Sequence, residues 1–342
     1  MNPSMNHVLS RGSALLLFSI IVTTWGLNWA VTKTIVLSVS PLWTTAIRSA
    51  IATVTLLAVL AVRRQLIVPR RGDVPVVLAI TCLHMVAFSA LVAFGLRFVP
   101  VGRSIVLGYT TPLWVVPGAW LFLGETMAKS RLAGVALSLS GLAVMFNPLA
   151  FDWSDERALL GNGLILLAAL CWAACILYVR AHRWVSTPFQ LVFWQVLLAT
   201  CILSTLALLV DGVPQINWSP ALAGAFLYGG MFGTALAYWA MAVVNRSLSA
   251  VTTSLGILAT PVIGVATSTI TLGEPVSVSL LIAMVMILGG IVVGTVPARR
   301  RAADYKHRIS PCGGKRSARD RGSAHPAGDL DHRRISRREE AE

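Results

Sequence analysis

Ten apolar runs, each about the length of a bilayer crossing, follow one another along most of the chain, at residues 12–32, 41–62, 74–95, 99–122, 130–146, 159–179, 188–210, 218–242, 249–271 and 276–296. A helix needs about 20 apolar residues to cross the hydrocarbon core. Lipid admits only helices and closed barrels, because every backbone polar group must find its partner inside the protein. The runs are continuously apolar and do not alternate as the ten-residue strands of a barrel do. The sequence therefore predicts an all-α integral membrane protein of ten transmembrane helices. Charged residues make up 12% of the 342, about half the share usual in soluble domains, which excludes a soluble enzyme.

The charges are unevenly placed. Of the 28 Lys and Arg residues, 13 lie in residues 297–342. That segment mixes Arg, Asp, Gly, Ser and Pro with few apolar side chains, so it is expected to be a disordered, basic cytoplasmic tail. The first run begins about ten residues in and leads into nine more, which reads as a span rather than a cleaved signal. Basic residues before position 297 sit mainly between the runs and form no patch on a folded face, so nucleic acid is not an expected partner. Cys82, Cys171, Cys175, Cys201 and Cys312 form no C-x-x-C pattern, and no His completes a site, so no metal is expected. No nucleotide-binding motif occurs, and no cofactor is expected.

Short loops carry more Lys and Arg on the cytoplasmic side. With the N-terminus inside, the inner loops and flanks receive thirteen basic residues, and the outer ones receive four: Lys33, Arg97, Arg103 and Arg157. Both termini are thus expected in the cytoplasm of a multi-pass plasma (bacterial inner) membrane protein.

The chain also repeats itself. Trp25 and Pro41 correspond to Trp172 and Pro188 at an offset of 147. TPLWVV (111–116) corresponds to TPVIGV (260–265), LGE (123–125) to LGE (272–274), and Gly141 to Gly290, at an offset of 149. One two-residue insertion reconciles the two sets. The unit is five helices long, and an odd number makes the second copy enter the membrane from the opposite side. This inverted-topology repeat is an arrangement many secondary transporters use. It divides the chain into a first repeat (12–146), a second, inverted repeat (159–296) and the tail (297–342).

With these residues the sequence resembles the drug/metabolite transporter superfamily in its ten-helix EamA-type branch. The resemblance is carried by WGLNWA (25–30), Arg48, the TTP…LGE block (110–125), its copy ATP…LGE (259–274), and LCWAACILYVR (170–180). It implies a basket of ten helices around a central cavity lined mainly by spans 1–4 and 6–9, and a function in moving small metabolites, often outward, with amino-acid exporters common. Substrate does not follow from fold.

Particular residues carry the chemistry. Pro112 and Pro261 stand inside spans 4 and 9, where a proline frees a backbone carbonyl. Gly108 and Gly256 precede them and would let the chain bend further. The prolines read either as kinks alone or as markers of a transport cavity. Arg48 either snorkels to the interface from span 2 or pairs with a substrate carboxylate, to which a guanidinium is suited; its counterpart is Gln195. His84 is the one histidine within the spans, either a neutral hydrogen-bonding side chain or a titrating group. Glu125 and Glu274 precede spans 5 and 10 and read as helix-end caps or gate contacts, with Pro275 suited to a first helical turn. Trp43, Trp153, Trp184 and Trp218 fit an interfacial belt. Trp25, Asn28, Tyr109, Trp172 and Tyr228, with Phe88, Trp29 and Trp239 nearby, suggest an aromatic cavity for a partly apolar solute. Gly290 and Gly294 in span 10, and Gly134 and Ser138 in span 5, suggest close helix contact within a monomer or across a homodimer.

The expected function is a secondary transporter that moves small metabolites by alternating access and exports amino acids, aromatic or otherwise apolar, or related compounds. Its partners are a small-molecule substrate and the lipid bilayer. An integral-membrane enzyme acting on a lipid-soluble substrate would need clustered acid, base or nucleophile groups, and HExxH, GxSxG and Walker-type motifs are absent. A channel would need polar or charged rings along one pore. A cysteine placed in the loop 63–73 of a cysteine-free chain is expected to react with an impermeant thiol reagent only from the cytoplasmic side of sealed vesicles.

Overall fold

Long apolar runs, several of them opened by a residue suited to a helix start, build this fold. The computed structural model describes residues 9–124, 129–146, 154–182, 185–248, 253 and 256–295. Glu125, Trp153, Trp184 and the tail lie outside them. The ten membrane helices are α1 (Arg11–Val36), α2 (Pro41–Val62), α3 (Arg71–Phe98), α4 (Val101–Leu123), α5 (Lys129–Phe146), α6 (Glu156–Ala181), α7 (Pro188–Asp211), α8 (220–247), α9 (Ala259–Leu272) and α10 (Val278–Thr295). Seven of them, all but α5, α9 and α10, hold a described segment long and apolar enough to cross a bilayer.

The helix starts follow local chemistry. The Ser10 hydroxyl accepts from the Ser13 amide at the start of α1, and Asp155 accepts from the Arg157 and Ala158 amides at the start of α6. Pro41 and Pro188 open α2 and α7, where the missing N–H has no intrahelical partner to lose. The repeated Leu-Gly-Glu has a backbone cause. Gly124 (φ 64°) and Gly273 (φ 66°) both end their helices in the left-handed conformation, which costs a residue with a Cβ more.

The repeat is visible in contacts between equivalent residues. Thr53 on α2 shares a hydrogen bond of 2.9 Å with Thr200 on α7, 147 positions later. Ser138 on α5 donates to the Ile287 carbonyl on α10 at 3.1 Å, 149 positions later. A residue that touches its own repeat equivalent lies on the pseudo-twofold axis relating the halves. That axis therefore passes between α2 and α7 and between α5 and α10.

At α5 and α10 the small residues meet each other inside the chain. A Cβ on Gly290 would lie 2.5 Å from the Gly134 carbonyl oxygen, and one on Gly141 would lie 3.0 Å from the Ala283 carbonyl oxygen. The motifs of spans 5 and 10 are thus spent on internal packing, and they leave no argument for a dimer face.

Two features depart from regular α-helix at matching places. Residues Ile80–Phe88 of α3 and Tyr228–Leu236 of α8 are π-helical, 148 positions apart. Such widened turns are rare and tend to mark functional sites. α4 is interrupted at Tyr109 and Thr110, and a turn at Ile257 and Leu258 precedes α9. Pro112 and Pro261 therefore stand just after helix breaks, within the first turn of the segment that follows, and not in mid-helix as the sequence suggests. Gly108 and Gly256 stand directly before these breaks and make room for the Trp29 and Phe18 rings, which a Cβ would strike.

Leucine at Gly290 would overpack a helix contact made through backbone, with a typical cost of about 1–3 kcal/mol. Gly290→Leu is expected to lower the thermal midpoint of the detergent-solubilised protein by several degrees. Gly163→Leu, at a glycine with open space around it, is expected to leave the midpoint unchanged.

Candidate functional site

The central cavity is built from one face of each of several helices. α1 contributes Trp25, Asn28, Trp29 and Thr32, spaced three and four apart as one helical face requires, and α2 adds Thr45, Arg48 and Ser49. His84, Phe88 and Leu96 come from α3, Tyr109 from the break in α4, Trp172 from α6, and Gly233, Thr234 and Tyr238 from α8. The enclosed volume is about 330 Å³, at the small end of the range for small-molecule sites.

Arg48 anchors the polar side. Its Nη1 donates to the Thr32 hydroxyl at 2.7 Å, and its Nη2 donates to Asn28 Oδ1 at 3.3 Å. Its Nε has no hydrogen-bond partner among the described residues. The guanidinium reaches inward to α1 and does not snorkel to the interface. α8 admits it because the residues opposite are glycines. A Cβ on Gly229 would lie 2.8 Å from Arg48 Nε, and one on Gly233 would lie 2.5 Å from Asn28 Oδ1. No Asp or Glu is among the lining residues, so no described carboxylate in the cavity wall neutralises Arg48.

The apolar side is a set of packed rings. His84 stacks on Trp172 with centroids 5.5 Å apart and planes 15° apart. Phe88 stands 5.2 Å from Trp172, and Tyr109 meets Trp172 edge-on at 6.3 Å. Tyr238 stands 6.4 Å from Trp25 and 6.2 Å from His84. These distances and tilts suit the ring quadrupoles.

Of the residues singled out in the sequence, Trp25, Asn28, Arg48, His84, Tyr109 and Trp172 come together around this cavity. Gln195 and Tyr228 do not line it. Gln195 is buried on α7, with its carbonyl accepting from Thr81 of α3 at 3.2 Å, and the neighbouring Val196 supplies the wall instead. Tyr228 turns its hydroxyl to the Thr24 carbonyl at 3.1 Å. Glu274 does not cap the helix that follows it. It accepts from the Val101 and Gly102 amides at 2.9 and 3.2 Å and so caps α4. α10 begins at Val278, beyond Pro275, where Ser277 accepts from the Leu280 amide. Glu125 lies outside the described residues.

Sequence reasoning missed Thr32, Tyr238 and Lys33. Lys33 donates to the Leu96 and Val99 carbonyls at the end of α3. A signal for it existed, since Lys33 and Arg180 are both basic at the offset of 147. The glycines of YGGMFG (228–233) were legible as a cluster but not as the seat of Arg48 and Asn28.

A family model described as EamA-like transporter family matches residues 12–147 and again residues 159–295. An uncharacterized transporter of Bacillus subtilis (strain 168), YoaV, is 22% identical over 81% of this chain and 94% of its own length. A probable amino-acid metabolite efflux pump of Salmonella typhimurium (strain LT2) is 26% identical over 82% of this chain and 94% of its own. One solved structure, titled only as the crystal structure of a protein, superposes with a TM-score of 0.61 at 21% identity, covering 85% of this chain and 99% of that one, a likeness of fold alone. With both five-helix halves matched in turn, the chain is a multi-pass membrane transporter and belongs to the EamA-like transporter family.

Proposed function

We propose that this transporter is a secondary carrier that exports amino acids, aromatic or otherwise apolar, or closely related metabolites by alternating access. The observation that carries the reading is Arg48, held by Thr32 and Asn28 in a cavity wall with no carboxylate and faced by aromatic rings. A zwitterion answers both sides. Its carboxylate pairs with the guanidinium or with Asn28. Its ammonium sits against a ring face, a contact worth about 0.5–2 kcal/mol depending on desolvation. An apolar side chain then fills the space among Trp25, Phe88 and Trp172. The printed name of the Salmonella relative agrees in chemical class.

The inverted repeat supplies the means of access from two sides. The sequence offers no nucleotide site, which leaves the solute's own gradient or protons to drive export; the solute's gradient is favoured, because His84 is the one histidine within the spans. The Lys/Arg bias puts both termini in the cytoplasm of the bacterial inner membrane. The repeats divide at 12–146 and 159–296, and a chain truncated after Arg301 is expected to insert and transport as the full chain does.

Flux through proteoliposomes loaded with a panel of amino acids tests the reading. Trp25→Ala, Asn28→Ala, Tyr109→Ala and Trp172→Ala are each expected to lower flux. Arg48→Lys, which keeps charge but loses the planar fork, is expected to cost about tenfold or more. Trp218→Ala, at a ring 57% exposed, is expected to change nothing. Parent-like flux in all four cavity alanine variants would remove the proposed site.

A further inference from the structure

The turn between α3 and α4 is gripped at both of its ends by a charged side chain. Lys33, in the last turn of α1, donates from Nζ to the Leu96 carbonyl and, at 3.1 Å, to the Val99 carbonyl. These belong to the carbonyls that a helix C-terminus leaves without intrahelical partners. Glu274, in the α9–α10 connection, takes the first two amides of α4, which a helix N-terminus likewise leaves open. Two elements from different repeats thus hold one hairpin. Both arms of that hairpin line the cavity, through Leu96 on α3 and Tyr109 on α4. Thr32, next to Lys33, is also part of the wall. The grip therefore sits directly behind the cavity wall at this end.

Beside the grip lies a second cavity of about 280 Å³, lined among others by Pro100, Gly102, Arg103, Ser268, Glu274 and Ser277. It gives the Glu274 carboxylate room to leave the α4 amides, with the Arg103 guanidinium in the same space. At its other end α3 is tied to different helices. Buried Asp73 accepts from the Val185 and Ser186 amides of the α6–α7 connection at 3.0–3.3 Å. Between the two anchorages lies the π-helical stretch Ile80–Phe88. α3 is therefore fastened at each end to different neighbours and departs from regular α-helix between them.

We propose that Lys33 and Glu274 form a releasable clamp that shuts the α3–α4 end of the cavity, and that solute passes this end only when both side chains let go of the turn. The proposal rests on the alternating-access reading. Charged side chains on backbone groups suit such a clamp, because their bonds are strong and directional when made. When they break, Glu274 can turn toward the Arg103 guanidinium in the second cavity, and water can take up the Lys33 ammonium.

The test places a single cysteine in the cavity, Ser49→Cys, in a chain whose native cysteines are replaced by serine. An impermeant maleimide is supplied to one side of sealed vesicles at a time. A separate Ser38→Cys chain, with its label in the exposed α1–α2 turn, identifies the side that bears the α3–α4 turn, whatever the orientation in the cell. Lys33→Gln and Glu274→Gln are each expected to raise labelling of the cavity cysteine from that side about tenfold, with labelling from the other side unchanged or lower. Lys33→Arg keeps the parent rate. If Lys33→Gln does not reach the membrane, Glu274→Gln carries the test alone. Folded glutamine variants that label from that side at the parent rate overturn the clamp. Equal labelling of the parent chain from both sides overturns alternating access itself, a different result.

Discussion

The bilayer's refusal to hydrogen-bond the backbone governs this structure wherever the helices stop. Inside a helix each amide finds its carbonyl, but at a break or a turn the partner has to come from elsewhere. Here it comes from polar side chains of other segments. Lys33 covers the end of α3, Glu274 covers the start of α4, and buried Asp73 covers the Val185 and Ser186 amides. Trp194 does the same for the Ile67 carbonyl at 2.6 Å, and Trp43 for the Gly212 carbonyl at 3.0 Å. Each of these bonds joins segments far apart in sequence, so the groups that satisfy the backbone also fix how the helices stand around the cavity.

The hydropathy runs carried the ten helices, because lipid demands length and apolarity and little else; most ends fall within a few residues of those expected, but the helix of the ninth run, expected from 249, begins at Ala259 after a turn at Ile257 and Leu258. The offsets of 147 and 149 carried the inverted repeat for a related reason. Gly124 and Gly273 need the same left-handed turn, and Thr53 and Thr200 meet on the axis. The site was legible only in part. Trp25, Asn28, Arg48, His84, Tyr109 and Trp172 stood out as polar or aromatic residues within apolar runs, and they do line the cavity. Gln195 and Tyr228 stood out equally and do not, because which face of a helix turns inward depends on its neighbours. Glu274 was recognised as a cap but assigned to the wrong helix, since its two amides lie more than 170 positions away in sequence.

The site also breaks the symmetry of the scaffold. The halves agree in their glycine caps, their π-helical stretches and their axial contacts. Around the cavity they disagree. Arg48 faces inward on α2, while its counterpart Gln195 is turned away on α7. α8 seats Arg48 and Asn28 on Gly229 and Gly233, while α3 brings His84 and Phe88 to the wall. The repeat supplies two equivalent frames, and the cavity's polar anchor sits where their side chains differ.

The glycines of α8 also bear on how such a site can diversify. At Gly229 and Gly233 even a methyl group would collide with Arg48 or Asn28, so α8 cannot gain a side chain there without dislodging the polar anchor. The rings of the cavity wall, His84, Phe88, Tyr109 and Trp172, come from α3, α4 and α6. The seat of Arg48 and Asn28 is thus closed to a larger residue by lack of space.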